Sequence, residues 1–400
     1  MTIAQNNFKV MPYPHLIKYM GSKSKIIDYI IDGLNSVSNT KYVIDLFAGS
    51  SSLSGALRGQ TNIISNDIQS YSEVLAKAYL SNINNLDMNS VLKELRRICV
   101  LHVSKLNTYT TLYDVDYNMN FNLSTFQESE NIQRNLIYLN FKDISYHLFT
   151  KYYSGTYWSS KQCKWIDSIR FAADNFKNSD VYNIIISSLM YAMSYTAQST
   201  GHYAQYRIAN TINSMNDILI YRRKSIWPLF EKKFIELFEF CKKNISTTNI
   251  FHSIDYEECL DTIPMNSTIY ADPPYSLVHY SRFYHVLETL VKYDYPEIKY
   301  KGRYRIDRHQ SPFSIKTKAP IAFKKMFIAA KEKNSNLILS YSNNGVISLK
   351  TIRNLAQEVF DSSYSFDEHV LNYRHSRMGR IGDKDVEVEE ALLIFKYKNN

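Results

Sequence analysis

Residues 42–52 read Tyr-Val-Ile-Asp-Leu-Phe-Ala-Gly-Ser-Ser-Ser, and this stretch decides the fold. The apolar run 42–47 predicts a buried parallel strand, and the small residues after it predict a turn into a helix over 53–57. Gly49 can adopt a backbone conformation closed to other residues. A turn of small side chains also lets the main chain approach a ligand at the helix start. The stretch therefore predicts an α/β fold that binds a nucleotide-like ligand.

A second strand is predicted over residues 62–66, and Asp67 follows it. An acidic residue about 20 positions beyond a small-residue turn is placed to accept hydrogen bonds from ribose hydroxyls. The alternative is that Asp67 caps a helix over 70–80. Only Gly49 of the three-glycine dinucleotide pattern is present, which favours a ligand without a pyrophosphate.

Upstream, residues 18–23 read Lys-Tyr-Met-Gly-Ser-Lys and precede an amphipathic helix predicted over 26–34. Tyr19 offers an aromatic face, and Lys23 offers a cation close to the same strand ends. The alternative for Lys23 is an ordinary solvated lysine in a loop.

A third informative stretch is Asp272-Pro273-Pro274-Tyr275, which follows the apolar run 267–271. Ligand sites in open α/β sheets lie just outside the carboxyl ends of strands. The prolines stiffen the chain and leave the Pro273 carbonyl free to accept a hydrogen bond. A carboxylate, a carbonyl and an aromatic face side by side can grip an amino group on a planar ring. The alternative is a strand-ending turn with a capping aspartate.

The composition narrows the class of protein. The chain has 400 residues, a net charge of +9 and 33 tyrosines, which suits a polyanionic partner, although biased genomic composition explains much of the tyrosine count. The four cysteines lie far apart without zinc spacing, so we expect a reduced protein and no metal site. No secretory signal or membrane-length apolar run occurs, and a cytoplasmic location is expected.

Taken together, these stretches resemble the Dam-like D12 class of DNA adenine-N6 methyltransferases, in the α-group order. Residues 19–23 resemble that family's motif X, residues 45–51 its cofactor loop, residues 66–68 its motif II and residues 272–275 its catalytic motif IV. Residues 252–256 look like motif III. One position departs from the family pattern, because Ser51 stands where a second glycine is usual.

The resemblance implies a Rossmann-like, S-adenosylmethionine-dependent methyltransferase fold with an inserted, mainly helical target-recognition domain. The catalytic domain would span residues 1–81 and 246–400, and the target-recognition domain residues 82–245. The cofactor would be S-adenosylmethionine, bound by Tyr19, Lys23, Asp45, Phe47, Ala48, Gly49, Asp67, Ile68, Asp255 and Asp272. The catalytic residues would be Asp272, Pro273, Pro274 and Tyr275. The substrate would be double-stranded DNA. The protein would either have a cognate restriction endonuclease as a partner or act alone.

In the middle segment, periodic runs over 91–101, 181–197 and 227–240 predict helices. Residues 199–207 look similar to a family loop near the extruded base, which implies DNA contacts by Gly201, His202, Tyr203 and Arg207. Aromatic and basic residues also interleave over 151–170. The alternative for these aromatics is core packing.

A second basic stretch runs over residues 292–325, with ten Lys and Arg against three acidic residues. Because it follows motif IV closely, we expect it to close on DNA phosphates through Lys301, Arg303 and Arg305. The alternative is a solvated loop.

Two other methyl acceptors are compatible with the same motifs. Cytosine N4 in DNA, or an amino group in RNA, can use the same acceptor pair as adenine N6. A DNA-binding homologue without catalysis is a third possibility, against which the intact Asp272 and cofactor loop weigh.

Overall fold

The structure is a computed structural model that describes residues 6–83, 86–199, 202–275, 280–375 and 386–398. Its strands are β1 Tyr42–Asp45, β2 Asn62–Asn66, β3 Ile250–His252, β4 Thr268–Ala271, β5 Ile298–Lys299, β6 Tyr304–Arg305, β7 Asn336–Ser342, β8 Tyr364–His375 and β9 Val386–Tyr397. Its helices are α1 Ile27–Asn35, α2 Ser52–Ala56, α3 Ser70–Tyr79, α4 Met88–Thr110, α5 Leu123–Arg134, α6 Leu148–Tyr153, α7 Ser160–Ala173, α8 Val181–Thr196, α9 Ile212–Arg222, α10 Ile226–Cys241, α11 Tyr256–Thr262, α12 Tyr280–Phe283, α13 His285–Lys292, α14 Ala319–Glu332 and α15 Leu349–Val359. Short 3-10 helices include Lys23–Ile26 and Pro312–Ser314.

The main sheet has the strand order β3-β2-β1-β4-β7-β9-β8 within the described ranges. The first five strands are parallel, and β9 runs antiparallel to both β7 and β8. From β1 the chain moves outward through β2 and β3, then returns to place β4 on the other side of β1. That reversal of direction creates a crevice at the carboxyl ends of β1 and β4, where ligands bind in open α/β sheets. The predicted Rossmann-like α/β fold is confirmed.

Both faces of the sheet are covered by helices, which explains why its central strands are continuously apolar. Successive residues point to opposite faces, so Val43 joins one core with α1, α3 and the middle helices. Ile44 joins a second core with α11, α14 and α15. Each layer therefore holds β1 from one side and fixes the position of its carboxyl end.

The predicted target-recognition segment is helical, from α4 to α10. Its two ends meet, because Asn82 donates to the carbonyl of Ile245 at 3.0 Å and accepts the Ile245 N–H at 3.1 Å. The Arg58 guanidinium lies beside this junction and donates to the carbonyls of Ser81 and Lys243. Helix α8 also packs on α3 within one continuous core. The boundaries 82 and 245 stay a prediction, and this junction agrees with them.

The end of strand β1 differs from the predicted one near the crevice. Strand β1 ends at Asp45 instead of residue 47, because the Ala48 N–H already turns to the carbonyl of Asn66 at 2.9 Å. Beside the crevice, residues 280–292 form two helices, α12 and α13, which are divided at Tyr284. Among the described helices, none combines the length and apolar character that a bilayer crossing requires.

Candidate active site

A solvent-open cleft of about 1140 Å³ lies at the crevice between β1 and β4. Every residue predicted to bind the cofactor or to act in catalysis lines this cleft: Tyr19, Lys23, Asp45, Phe47, Ala48, Gly49, Asp67, Ile68, Asp255, Asp272, Pro273, Pro274 and Tyr275. The strand order brings these residues together although they span 257 positions, from 19 to 275 in the sequence. Their individual roles stay predictions.

The turn after β1 is held by the neighbouring strand. The carboxylate of Asp67, at the end of β2, accepts the Gly49 N–H and the Gln69 N–H, each at 2.9 Å. Gly49 has φ +53°, and a Cβ there would lie 3.0 Å from the Tyr19 ring. The predicted need for glycine therefore has two causes, a left-handed backbone and a close approach by an aromatic ring. Asp67 does not cap α3, whose N-cap is Gln69.

Ser51, which stands where the family pattern has a second glycine, has a strained backbone conformation. Its φ of +55° and ψ of +30° lie in the left-handed region, where a second glycine would be unstrained. The Ser51 hydroxyl donates to the carbonyl of Ser72 at 3.0 Å, which ties the start of α2 to α3. A buried hydrogen bond thus offsets part of the backbone strain at this position.

Tyr19 is held by stacking on two tyrosines that follow motif IV in the sequence. Its ring stacks on Tyr284 with centroids 4.6 Å apart and on Tyr280 at 5.5 Å. The Tyr284 hydroxyl accepts the Met20 N–H at 2.6 Å. At Gly21, with φ +76°, a Cβ would lie 2.6 Å from the Tyr280 hydroxyl. Motif X and the segment after motif IV therefore form one wall of the cleft.

Lys23 lies at the centre of a buried charge cluster. Its ammonium is 3.2 Å from Asp272 Oδ1 and 2.5 Å from Glu390 Oε1 on β9. Burial alone would lower the pKa of Lys23, but the two carboxylates outweigh that effect and raise it well above its usual value. Lys23 is thus held as a cation inside the cleft wall.

Three acidic residues of the cleft, Asp45, Asp67 and Asp272, have a raised pKa. Burial raises the pKa of Asp272, Lys23 opposes that rise, and the Glu390 charge adds to it. Burial also raises the pKa of Asp67 to about 6, although the N–H groups of Gln69 and Gly49 oppose the rise. Burial, with the Asp272 and Asp67 charges, raises the pKa of Asp45 well above its usual range. Perturbed carboxyl groups gathered in one cleft are typical of functional sites.

The carbonyls of the two prolines of motif IV differ in their hydrogen-bond partners among the described residues. Ser314 donates to the Pro274 carbonyl at 3.1 Å, whereas no group in the described ranges donates to the carbonyl of Pro273. The Tyr275 ring packs edge-on to Tyr341 with centroids 5.5 Å apart, and Lys23 Nζ lies 5.3 Å from its centroid. An acceptor carbonyl, a carboxylate and an aromatic ring therefore line one cleft, as the sequence predicts.

Phe47, Ile68 and Asp255 also line the cleft. The Asp255 carboxylate caps α11 by accepting the Glu257 N–H at 2.9 Å. The Phe47 ring contacts Phe313 edge-on with centroids 5.3 Å apart. These contacts fix an apolar ring and an acidic group that both line the cleft.

Sequence reasoning missed several residues that shape the site. Glu390 carries a weak signal, a charged residue directly before an apolar strand run. The later part of the basic stretch lines the cleft through His309, Ser311, Pro312 and Ser314.

The loop predicted to approach an extruded base has a mixed outcome. Gly201 lies outside the described residues. Tyr203 is buried, its hydroxyl meets Ser194 Oγ at 3.1 Å, and its carbonyl accepts from Tyr157 and His285. These contacts make Tyr203 a packing residue and disfavour its predicted contact with DNA.

The other two residues of this loop are more accessible. The His202 ring stacks on Phe283 with centroids 4.2 Å apart. Arg207 forms a partly exposed ion pair with Asp217 at 2.9 Å. Both remain candidates for DNA contact.

The three basic residues after motif IV that were predicted to contact DNA differ in exposure and in their partners. Lys301 is exposed, in agreement with its predicted role. The Arg305 guanidinium is buried and pairs with Asp294 at 2.6 Å and Asp307 at 2.8 Å. Arg303 donates to the carbonyl of Tyr152. Direct contact of Arg303 and Arg305 with DNA phosphates is therefore disfavoured, because both guanidinium groups already bind acceptors within the fold.

For three aromatics of residues 151–170 the core-packing alternative holds, whereas Tyr152 and Trp165 are only partly buried. Tyr153, Tyr157 and Trp158 are fully buried, and the Trp158 indole donates to Thr196 at 3.1 Å. They stabilise the junction of the helical segment with the segment after motif IV and leave no face for a base.

Comparison with known proteins agrees with the fold and the cleft. The family model described as D12 class N6 adenine-specific DNA methyltransferase matches residues 19–355. The chain is 22% identical over 389 residues to Modification methylase LlaI of Lactococcus lactis subsp. lactis, covering 95% of this chain and 55% of that protein. It is 23% identical over 397 residues to Modification methylase StsI of Streptococcus sanguinis, covering 96% and 52%.

A further relative is Type II methyltransferase M.NlaIII of Neisseria lactamica, 21% identical over 394 residues, with 95% of this chain and 98% of that protein covered. The chain thus spans about half the length of the first two relatives and nearly all of the third. The family match covers most of the sequence and includes the cofactor loop, motif IV and the helical segment between them. The chain therefore belongs to the D12 class of N6 adenine-specific DNA methyltransferases.

Proposed function

We propose that this chain transfers a methyl group from S-adenosylmethionine to the N6 amino group of a specific adenine in double-stranded DNA. One observation carries the proposal. Asp272 and Pro273 directly follow β4, and their carboxylate and carbonyl line the same cleft as the glycine turn that follows β1. An acceptor pair for an amino group and a binding turn for a nucleoside therefore share one cavity.

The cleft suits S-adenosylmethionine. At Gly49 no Cβ hinders the approach of a ligand, and Phe47 and Ile68 offer apolar surface for a purine. Asp45, Asp67 and Asp255 offer carboxylates for the hydroxyl, amino and sulfonium groups. When bound, S-adenosylmethionine supplies an electrophilic methyl group on a positively charged sulfur.

The residues of motif IV prepare the acceptor nitrogen. The lone pair of the adenine N6 is delocalised into the ring, so the amine is a poor nucleophile. Hydrogen bonds from its two N–H groups to Asp272 and to the Pro273 carbonyl favour a pyramidal nitrogen with a localised lone pair. The Asp272 carboxylate also stabilises the positive charge that develops on that nitrogen. Burial raises the pKa of Asp272, which suits the carboxylate to receive the proton that the methylated amine must lose.

An adenine inside a duplex cannot reach this cleft, so the base must leave the stack at a cost of a few kcal/mol. Stacking on Tyr275 returns about 1–3 kcal/mol of that cost. The edge contact with Tyr341 holds the Tyr275 ring in place for this purpose.

Residues 82–245 are proposed to be the target-recognition domain, with DNA contacts from His202 and Arg207. Lys301, which lies in the basic stretch after motif IV, is proposed to bind a DNA phosphate. The names of the relatives support a role in restriction and modification, with a cognate endonuclease as a separate partner. The family description names the adenine N6 atom, so cytosine N4 and RNA amines are not favoured as acceptors.

Transfer of tritium from labelled S-adenosylmethionine to DNA and to RNA, followed by nucleoside analysis, tests the proposal. We expect N6-methyladenine in DNA alone. Asp272→Ala should fold, because Lys23 keeps its pair with Glu390, and its transfer should be close to undetectable. Label in cytosine or in RNA, or an active Asp272→Ala variant, would contradict the proposal. Methylating a random plasmid library would then give the recognition sequence.

A further inference from the structure

A buried glutamate outside the predicted motifs contacts the lysine of the site. Glu390 lies on β9, opposite Ser342 of β7 and Leu371 of β8, and its side chain is fully buried. Its Oε1 is 2.5 Å from Lys23 Nζ and accepts the Ser340 hydroxyl at 2.5 Å. Its Oε2 is also buried and has no hydrogen-bond partner among the described residues.

The ammonium of Lys23 is shared unequally between the two carboxylates. It is 2.5 Å from Glu390 but 3.2 Å from Asp272, whose Oδ1 has no hydrogen-bond partner within the described ranges. The contact with Asp272 is thus an ion pair by distance without the geometry of a hydrogen bond. Lys23 is bound mainly to Glu390.

This arrangement is costly for folding, which points to a function. Two carboxylates and one ammonium leave one negative charge in excess, and two of the carboxylate oxygens are buried without a hydrogen bond from any described residue. Replacing buried ionic groups by apolar residues of similar volume is often neutral or stabilising. Stability alone therefore does not account for a glutamate at this position.

We propose that Glu390 is a positioning residue for methyl transfer, which rests on the function proposed above. By binding the Lys23 ammonium, Glu390 keeps that cation from closing onto Asp272. The Asp272 carboxylate then retains an oxygen that can accept an N–H of the target amine. Without the Glu390 charge, Lys23 would pair fully with Asp272 and compete with the substrate for the same oxygen.

Other ionisable groups surround the cluster and must be considered in a pH experiment. Tyr29 of α1 lies near Glu390 and Glu368, and Tyr270 of β4 lies near Asp45 and the cluster. Burial raises the pKa of Tyr29 to about 12 and that of Tyr270 well above its usual value, and burial likewise raises the pKa of Tyr275. The tyrosines therefore stay neutral in the range where Asp272 titrates.

The decisive variant is Glu390→Gln, which changes the cluster from a net charge of −1 to neutral and keeps an acceptor for Ser340 and Lys23. For this reason it should fold. We expect kcat for DNA methylation to fall about tenfold or more while KM for S-adenosylmethionine stays within about twofold. The acid limb of the kcat profile should also move to lower pH, because the Glu390 charge helps to raise the pKa of Asp272.

Two controls separate positioning from general damage. Glu389→Gln removes one charge from an exposed neighbour on the same strand and should leave kcat and the acid limb unchanged. Lys23→Gln, alone and combined with Glu390→Gln, forms a double-mutant cycle. If Glu390 acts through Lys23, Glu390→Gln should cause little further loss of kcat in a protein that already carries Lys23→Gln.

Unchanged kcat and acid limb in Glu390→Gln would overturn the inference, and so would losses that multiply in the double variant. If Glu390→Gln alone fails a thermal unfolding check, the comparison of Lys23→Gln with the double variant still decides. The wild-type protein separates the two proposals. Absence of N6-methyladenine in its product refutes the proposed function, whereas normal product with an indifferent Glu390 refutes only the positioning role.

Discussion

The carboxylate of Asp67 accepts the backbone N–H of Gly49 at 2.9 Å, so the end of β2 fixes the turn that follows β1. The same carboxylate accepts the Gln69 N–H at 2.9 Å. One acidic side chain therefore fixes the turn after β1 and also lines the cleft. It does not form the helix cap that the sequence left as its alternative role, because the N-cap of α3 is Gln69.

Asp67 should make the free energy of unfolding depend on pH. Because burial raises its pKa from an unfolded value of about 3.9 to about 6, folding favours the protonated form. Its contribution to stability is present below about pH 4 and is lost as the pH rises through about 6. We expect the free energy of unfolding of the wild type to fall relative to Asp67→Asn across this range in urea titrations. Parallel curves for the two proteins would contradict the prediction.

Gly49→Ala should weaken cofactor binding. The new Cβ lies 3.0 Å from the Tyr19 ring, and a left-handed backbone costs an L-residue about 1–2 kcal/mol. Isothermal titration calorimetry with S-adenosylmethionine should show a loss of about tenfold or more in affinity. Gly59→Ala is the matched control, since Gly59 has φ +75° and its Cβ would meet Ile245 away from the cleft. It should lower stability and leave the affinity unchanged.

Ser51 allows the strain in the turn to be measured. Ser51→Gly removes the strain of φ +55° and also the hydrogen bond to Ser72, so the two effects oppose each other. We expect a change in unfolding free energy within about 1 kcal/mol. Ser51→Ala loses the hydrogen bond and keeps the strain, and it should be less stable than Ser51→Gly by about 1 kcal/mol. The reverse order would show that the backbone at Ser51 is not strained.

Tyr275 should act through its aromatic face. Tyr275→Ala removes stacking worth about 1–3 kcal/mol, so methyl transfer to duplex DNA should fall about tenfold to 100-fold. Tyr275→Phe and Tyr275→Trp should retain much of the activity. Equal loss in all three variants, each shown to be folded by circular dichroism, would rule out stacking.

The exposed Lys301 and the buried Arg305, both after motif IV, should respond differently to substitution by glutamine. Lys301→Gln should reduce the slope of log binding affinity against log salt concentration by about 0.9, as expected for one lost phosphate contact. Arg305→Gln should leave that slope unchanged and lower the melting temperature, because Asp294 and Asp307 lose their buried partner. An unchanged slope in Lys301→Gln would place Lys301 away from DNA.

The sequence by itself determined the strands and the ends at which chemistry gathers. The apolar run of β1, the small residues after it and the prolines after β4 are local signals, since each depends on neighbours a few positions away. Parallel strands then place their carboxyl ends at one edge, and so Asp45, Asp67 and Asp272 meet in one cleft.

Only the tertiary structure decided which polar groups are buried and what they contact. Arg305 and Lys301 look alike in the sequence, but Arg305 is surrounded by acidic partners and Lys301 is exposed. Glu390 and Lys23 stand 367 positions apart, and no local pattern couples them. Their contact exists because β9 pairs with β7 next to β4, and burial in that sheet makes the interaction strong. Local periodicity therefore determined the scaffold, whereas long-range packing and desolvation determined the charge state of the site.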